Sequence, residues 1–195
     1  MYKGRDKMHK FNIKSIEKLD NPERRRTMPP EETLLKFKIE DDGALLDVGC
    51  GIGYFTIPAS KLLENNKVIG IDISPEILEV AKEKTKGINN IEFITSGEYT
   101  FPVESHSIKY VLISNVIHEV DDKATYLKEV KRVLKDEGYF LIIDWEKRKM
   151  EMGPPMNERI SIDEMIELCG KAGFKAIESM NIASNHYGLR LENQR

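Results

Sequence analysis

Residues 44–53 read Ala44-Leu45-Leu46-Asp47-Val48-Gly49-Cys50-Gly51-Ile52-Gly53, and nineteen residues beyond Gly53 the run Val68-Ile69-Gly70-Ile71 ends on Asp72. An apolar run, then glycines at alternate positions, then a helix-like stretch describes a strand whose C-terminal end meets a ligand. Glycine lacks a Cβ, so such a turn can take unusual backbone angles and let a ligand lie against the main chain. The helix that follows offers unpaired N–H groups at its start. A second strand ending in a carboxylate places an acceptor at the neighbouring crevice, where it can bind both hydroxyls of a ribose.

Two kinds of nucleotide ligand are separated by the spacing. A dinucleotide fingerprint needs Gly-x-Gly-x-x-Gly, whereas here the third glycine arrives one residue early and Tyr54 fills the last slot. Asp47, just ahead of the glycines, would repel a pyrophosphate and suits a ligand with a cationic end. The motif resembles the Asp-x-Gly-x-Gly-x-Gly signature of class I S-adenosylmethionine (SAM) dependent methyltransferases, whose cofactor carries a sulfonium and an ammonium. The resemblance runs from about Pro29 onward and is strongest to small single-domain enzymes of the ubiquinone/menaquinone-biosynthesis type.

That resemblance implies roles residue by residue. Asp47, Gly49, Gly51 and Gly53 would face the methionine part of the cofactor, Asp72 would bind the ribose, and Ile73 would pack on the adenine. Relatives often carry an acid after the third strand that accepts from the adenine amino group. Here Ser96-Gly97-Glu98 occupies the region, so Glu98 can take that role from one position later or backbone groups alone read the base. In Ser114-Asn115-Val116-Ile117-His118-Glu119-Val120, Asn115 is a partner for the cofactor's polar end. His118 and Glu119 are the candidate catalytic pair at a strand end. An imidazole of ordinary pKa about 6.5 can accept a proton near neutrality, and the competing role for His118 is packing in a short helix. Trp145 and Tyr187 are candidate pocket walls, with Met150, Met152 and Met156 nearby. No oxygen-rich cluster at the strand ends suggests a metal, and none is expected.

The flanking sequence alternates strand and helix signals. Pro29-Pro30-Glu31-Glu32 reads as the start of a helix carrying Leu34, Leu35 and Phe37, and strands are expected at Leu45–Val48, Lys67–Asp72, Ile91–Thr95, Ile108–Ser114 and Tyr139–Asp144. Helices are expected from Tyr54, from a Ser74 cap with Pro75 at the first turn, from an Asp121 cap to Gly138, and from the Ser161-x-x-Glu164 capping box. Strands at Phe174–Ser179 and Tyr187–Leu191 complete the chain. Apolar strands alternating with helices predict an α/β, Rossmann-like doubly wound, mostly parallel seven-stranded sheet with helices on both faces. The last strand is expected to be antiparallel, as the resemblance implies.

Composition bounds the rest. The chain has 195 residues, long enough to bury one core without staples. Two cysteines, Cys50 and Cys169, fit neither a disulfide framework nor a metal site and favour a reducing compartment. With no apolar run of spanning length, a soluble cytoplasmic protein is the default. Residues 1–30 carry a local charge of +5 against −8 for the remainder. Residues 1–28 are therefore expected to be a basic N-terminal arm or lid, and 29–195 the class I methyltransferase domain. Nucleic acid is a disfavoured partner, since no aromatic-interleaved basic stripe supports it. The expected activity is SAM-dependent methyl transfer to a small-molecule acceptor. Open alternatives are an RNA or protein methyltransferase using the arm, a non-catalytic SAM-binding module, and a nicotinamide oxidoreductase disfavoured by Asp47.

Overall fold

A computed structural model describes residues 19–194. Its framework is a seven-stranded sheet: β1 (Leu45–Val48), β2 (Val68–Asp72), β3 (Ile91–Thr95), β4 (Ile108–Ser114), β5 (Leu134–Trp145), β6 (Phe174–Ala183) and β7 (His186–Asn193). The order is β3-β2-β1-β4-β5-β7-β6. All neighbours pair in parallel except β7, which runs antiparallel to both β5 and β6. The chain enters at β1 and winds outward in both directions, so a topological switch point lies between β1 and β4, where open sheets of this kind bind ligands.

Alternation along the strands builds two cores. In β4, Val111 and Ile113 join one apolar cluster while Tyr110 and Leu112 join the other, and β5 does the same with Phe140/Ile142 against Leu141/Ile143. Helices α5 (Lys123–Val133) and α6 (Ile162–Lys171) cover the first face through Leu127, Val130, Met165 and Cys169. Helices α2 (Pro30–Lys36) and α3 (Thr56–Leu62) cover the second through Leu34 and Ala59. Helix α4 (Pro75–Lys84) starts as the sequence indicates, with Ser74 Oγ accepting from Ile77 N at 3.3 Å and Pro75 at the first position. The Ser161–Glu164 capping box forms in full.

Several boundaries differ from expectation. Asp122, not Asp121, caps α5, because its carboxylate reaches both Thr125 N and Thr125 Oγ1. That helix stops at Val133, and β5 begins at once, so Gly138 lies inside the strand. Helix α3 starts at Thr56, since Tyr54 and Phe55 finish the glycine turn. Tyr187 is core, not a pocket wall: it is buried and its hydroxyl donates to Ile160 O.

Within the expected arm, residues 1–18 lie outside the described residues. The described part contains an additional short helix, α1 (Pro22–Thr27), capped by Asn21 Oδ1 on Arg24 N. Met28 is 2% exposed in the second core, and its carbonyl accepts from Tyr54 Oη at 2.8 Å. No helix among the described residues is long and apolar enough to cross a membrane.

Candidate functional site

At the C-terminal end of β1 the chain makes three left-handed turns, with φ +71° at Gly49, +55° at Gly51 and +83° at Gly53. A side chain at Gly49 would also collide, since its Cβ would lie 2.5 Å from Val116 Cγ2. The glycine spacing is therefore imposed by backbone angle and by close approach of the β4 loop. Gly49 N and Cys50 N both donate to Ile71 O, which ties the loop to β2.

Asp72 closes the loop from the other side. Its Oδ2 accepts from Gly51 N and its Oδ1 from Ser74 N, both at 3.0 Å. Ile73 beside it is 44% exposed, an apolar surface available to a planar ring. Ser96 N donates to Asp72 O, which brings the 96–98 segment against the same acid. Glu98 is half-buried there. The buried Tyr126 phenol is pushed up by burial and by the charges of Asp72 and Glu98, so all three groups crowd one region.

Asp47 is almost wholly buried and accepts from Thr56 Oγ1 at 2.6 Å. The bond makes it a partner of the first residue of α3, a capping role compatible with a ligand role. Burial raises its pKa to about 6, opposed by the Thr56 hydroxyl and reinforced by the charge of Asp72. An acid raised on folding binds its proton more tightly in the folded chain. Without ligand, stability should therefore grow as pH falls from about 6 towards the ordinary carboxylate value near 4, and be lost as pH rises through that window. A cationic ligand group beside Asp47 needs the ionised form. SAM affinity is accordingly expected to weaken below about pH 6 in the native chain and to lose that dependence in Asp47→Asn, as calorimetry across pH would show.

Past β4, Asn115 takes a left-handed φ of +58°, and its N–H donates to Ile143 O at 2.9 Å. Ser114 Oγ and Asn115 Oδ1 are buried with no hydrogen-bond partner among the described residues. Buried polar atoms are seldom left so without a ligand or functional reason. These oxygens, the glycine cradle, the Asp72 carboxylate and the apolar Ile73 fit the polar methionine end, ribose and adenine of SAM.

The short 3-10 turn Ile117–Glu119 carries the expected catalytic pair, and the two members part company. His118 is buried, with Nδ1 2.7 Å from Asp144 Oδ1 at the end of β5. Glu119 is exposed, its Oε1 3.7 Å from His118 Nε2, beyond hydrogen-bond reach. Burial pulls the His118 pKa down, but the Asp144 hydrogen bond and charge, with Glu119 and Glu158, carry it above its ordinary value. Trp145 is half-buried and packs on His186, ring centroids 4.1 Å apart. His186 Nδ1 lies 2.9 Å from Asn185 Oδ1, and Nε2 is buried with no partner among the described residues. Burial and the charges of Arg24, His118 and Arg159 depress His186 to about 3, which keeps it neutral. Met152 and Met156 are exposed on the loop after β5.

Four functional candidates were not singled out from sequence: Asp144, His186, Arg159 and Arg24. Asp144 could have been, because it ends an apolar strand as Asp72 does. Arg24 lies 4.0 Å over the Tyr54 ring, and the Leu19 side chain sits against Gly51, so the described arm rests on the glycine loop. Nothing in the local pattern marks Arg159 as buried or Arg24 as half-buried. No group of three or more potential metal ligands occurs among the described residues.

Known proteins resemble this chain in sequence and fold. A family model described as a methyltransferase domain matches residues 39–189. A SAM-dependent methyltransferase from Aquifex aeolicus superposes with TM-score 0.88 at 31% identity, covering 94% of this chain and 100% of that one. Demethylmenaquinone methyltransferase of Staphylococcus haemolyticus is 39% identical over 106 residues, 54% of this chain and 44% of that protein. The enzyme of the same name from Staphylococcus saprophyticus is 33% identical over 115 residues, 58% of this chain and 49% of that protein. The matched part thus spans less than half the length of these curated relatives.

Proposed function

Because the chain belongs to the methyltransferase-domain family and is a SAM-dependent enzyme, we propose that it methylates a small-molecule acceptor, with His118 as proton acceptor. The observation that carries this reading is the placement of buried His118, held on Asp144, and of buried His186, packed on Trp145, at the same sheet end as the glycine cradle. Groups withdrawn this far from the surface serve a compact acceptor better than a nucleic acid or a folded protein. The name of the staphylococcal relatives, demethylmenaquinone methyltransferase, points to an acceptor of the same size class.

When bound, SAM supplies an electrophilic methyl group on a sulfonium. Asp47, Asn115 and the glycine loop would hold its methionine end, and Asp72, Ile73 and Glu98 its nucleoside. Alignment of the two reactants can itself contribute about 7–11 kcal/mol. His118 then has one task, to take the proton of the attacking group. Glu119, exposed beside Nε2, would serve as the exit for that proton rather than as the base.

The alternative use of the basic arm as a nucleic-acid dock loses support from the structure of Arg24-Arg25-Arg26. Arg24 is packed on Tyr54, and Arg25 pairs with Asp20 through both carboxylate oxygens. The experiment is a metabolite-pool screen read out by S-adenosylhomocysteine release, run beside a small-RNA pool. Release with RNA alone would overturn the small-molecule reading. In the same preparation Asp72→Ala should weaken SAM binding by about 1–3 kcal/mol, the scale of a hydrogen bond to a charged group. Unchanged affinity in that folded variant would remove Asp72 from the cofactor site.

A further inference from the structure

Asp144 lies one residue before the end of the apolar strand β5 and is 1% exposed, yet among the described residues only one of its oxygens has a hydrogen-bond partner. Oδ1 faces His118 Nδ1 at 2.7 Å and accepts from Trp145 N at 2.8 Å. Oδ2 is buried with no hydrogen-bond partner among the described residues. Leaving a carboxylate oxygen unpaired in the interior costs stability, about 1–3 kcal/mol or more for a charged group. A fold selected for stability alone would place an apolar residue here, as it does at neighbouring Ile142 and Ile143. The cost has a return only if the carboxylate acts on its one titratable partner.

We infer that Asp144 is a positioning residue, holding His118 with Nδ1 protonated and the Nε2 lone pair outward, so that the enzyme selects acceptors that give up a proton on methylation. The inference rests on the methyl-transfer reading above. The Trp145 amide fixes Asp144 Oδ1, and a carboxylate can only accept, so the hydrogen on Nδ1 points at it. The lone pair is then on Nε2, on the side of exposed Glu119. In the reaction an acceptor X–H donates an electron pair from X to the methyl carbon. The methyl–sulfur bond breaks with its pair staying on sulfur, and the X–H proton moves to Nε2. Asp144 compensates the imidazolium that results, and Glu119 can pass the proton to water. Acceptors with no hydrogen to lose, such as a tertiary amine or a thioether, gain nothing from this arrangement.

The groups facing His118 come from each element around it: Asp144 from β5, Glu119 from its own turn, Glu158 from the loop after β5, and His186 from β7, which is neutral. Among the described residues, burial lowers its titration and three acids raise it, with Asp144 the nearest.

The test uses the full chain and begins without any acceptor. Histidine ring signals from the four histidines are assigned with a His118→Gln variant and followed by NMR against pH. Neutral His118 should show its proton on Nδ1; a proton on Nε2 overturns the inference with no variant needed. In Asp144→Asn, which keeps shape and a carbonyl acceptor but no charge, the His118 midpoint should fall by about one pH unit or more, a tenfold change. With an acceptor from the screen, Asp144→Asn should lower plateau turnover by about 10²-fold, within the range of general-base contributions. The acid limb of its pH profile should move down with the NMR midpoint while SAM affinity stays constant. A shifted midpoint with plateau and acid limb unmoved would mean that the pair only packs. No S-adenosylhomocysteine release by the unaltered chain with any pool would sink the reaction and the inference together, whereas full turnover in Asp144→Asn sinks the inference alone.

Discussion

Replacing His118 by glutamine should lower turnover by about 10²–10⁴-fold, the contribution of a positioned general base, while SAM affinity is unchanged. Glutamine preserves a hydrogen-bonding side chain opposite Asp144 but cannot accept a proton at neutral pH. The imidazole is buried and its Nδ1 is tied to Asp144, so its ring orientation is fixed before any acceptor arrives. That fixing separates a base from a merely polar wall residue. The pH dependence has a definite sign. A histidine whose pKa is raised on folding adds stability below its unfolded value near 6.5, and that increment is lost as pH rises through the folded value. Turnover should run the opposite way, rising with pH as Nε2 is freed. Turnover by His118→Gln within a factor of about two of the native chain, a change far below general-base scale, would show that alignment alone drives the reaction. The melting temperature, measured alongside, distinguishes a lost base from a lost fold.

The candidate cofactor residues form a cluster that was legible because it is local in sequence. Asp47, Gly49, Gly51 and Gly53 lie within seven positions, and each glycine is required where it stands by a positive φ. Asp72 announces itself as a lone acid closing an apolar strand. The same signal exists at Asp144, but its partner His118 is 26 residues away in sequence, and only strand pairing brings them together. The antiparallel β7 has the same character: it carries His186 to the C-terminal end of β5, opposite Trp145, by register rather than by any motif. The helix in the arm and the burial of Met28 were hidden for a further reason. A segment rich in arginine reads as solvated, yet a guanidinium can lie flat on an aromatic ring with its stem packed, as Arg24 does on Tyr54.

Arg159 is the residue for which sequence offered no signal, and its replacement by methionine should have the second-largest effect. It is 4% exposed and sits inside the loop between β5 and α6. Its Nε donates to Pro154 O, Nη1 to Glu146 O and Arg148 O, and Nη2 to Met152 O. One guanidinium thus gathers four carbonyls that no strand or helix satisfies, and it lies 5.8 Å from the Trp145 ring centroid. Gly153 completes the wrap: its φ is +89°, and a Cβ there would come within 2.8 Å of the Trp145 ring. Methionine keeps the packing volume but supplies no donor. Hydrogen bonds to charged groups contribute about 1.5–3 kcal/mol each and do not add fully, so a loss of about 3 kcal/mol is expected. For a domain of this size that lowers the melting temperature by about 6–12 °C. Hydrogen exchange should quicken across 146–160, and turnover should drop because Trp145 and His186 lose their cover. SAM affinity should hold, since every residue proposed to hold the cofactor lies elsewhere. Arg159→Lys should rescue little, because a single ammonium cannot span carbonyls arranged around a planar fork. Native stability and loop protection in the lysine variant would show that positive charge, rather than the fork, organises the loop.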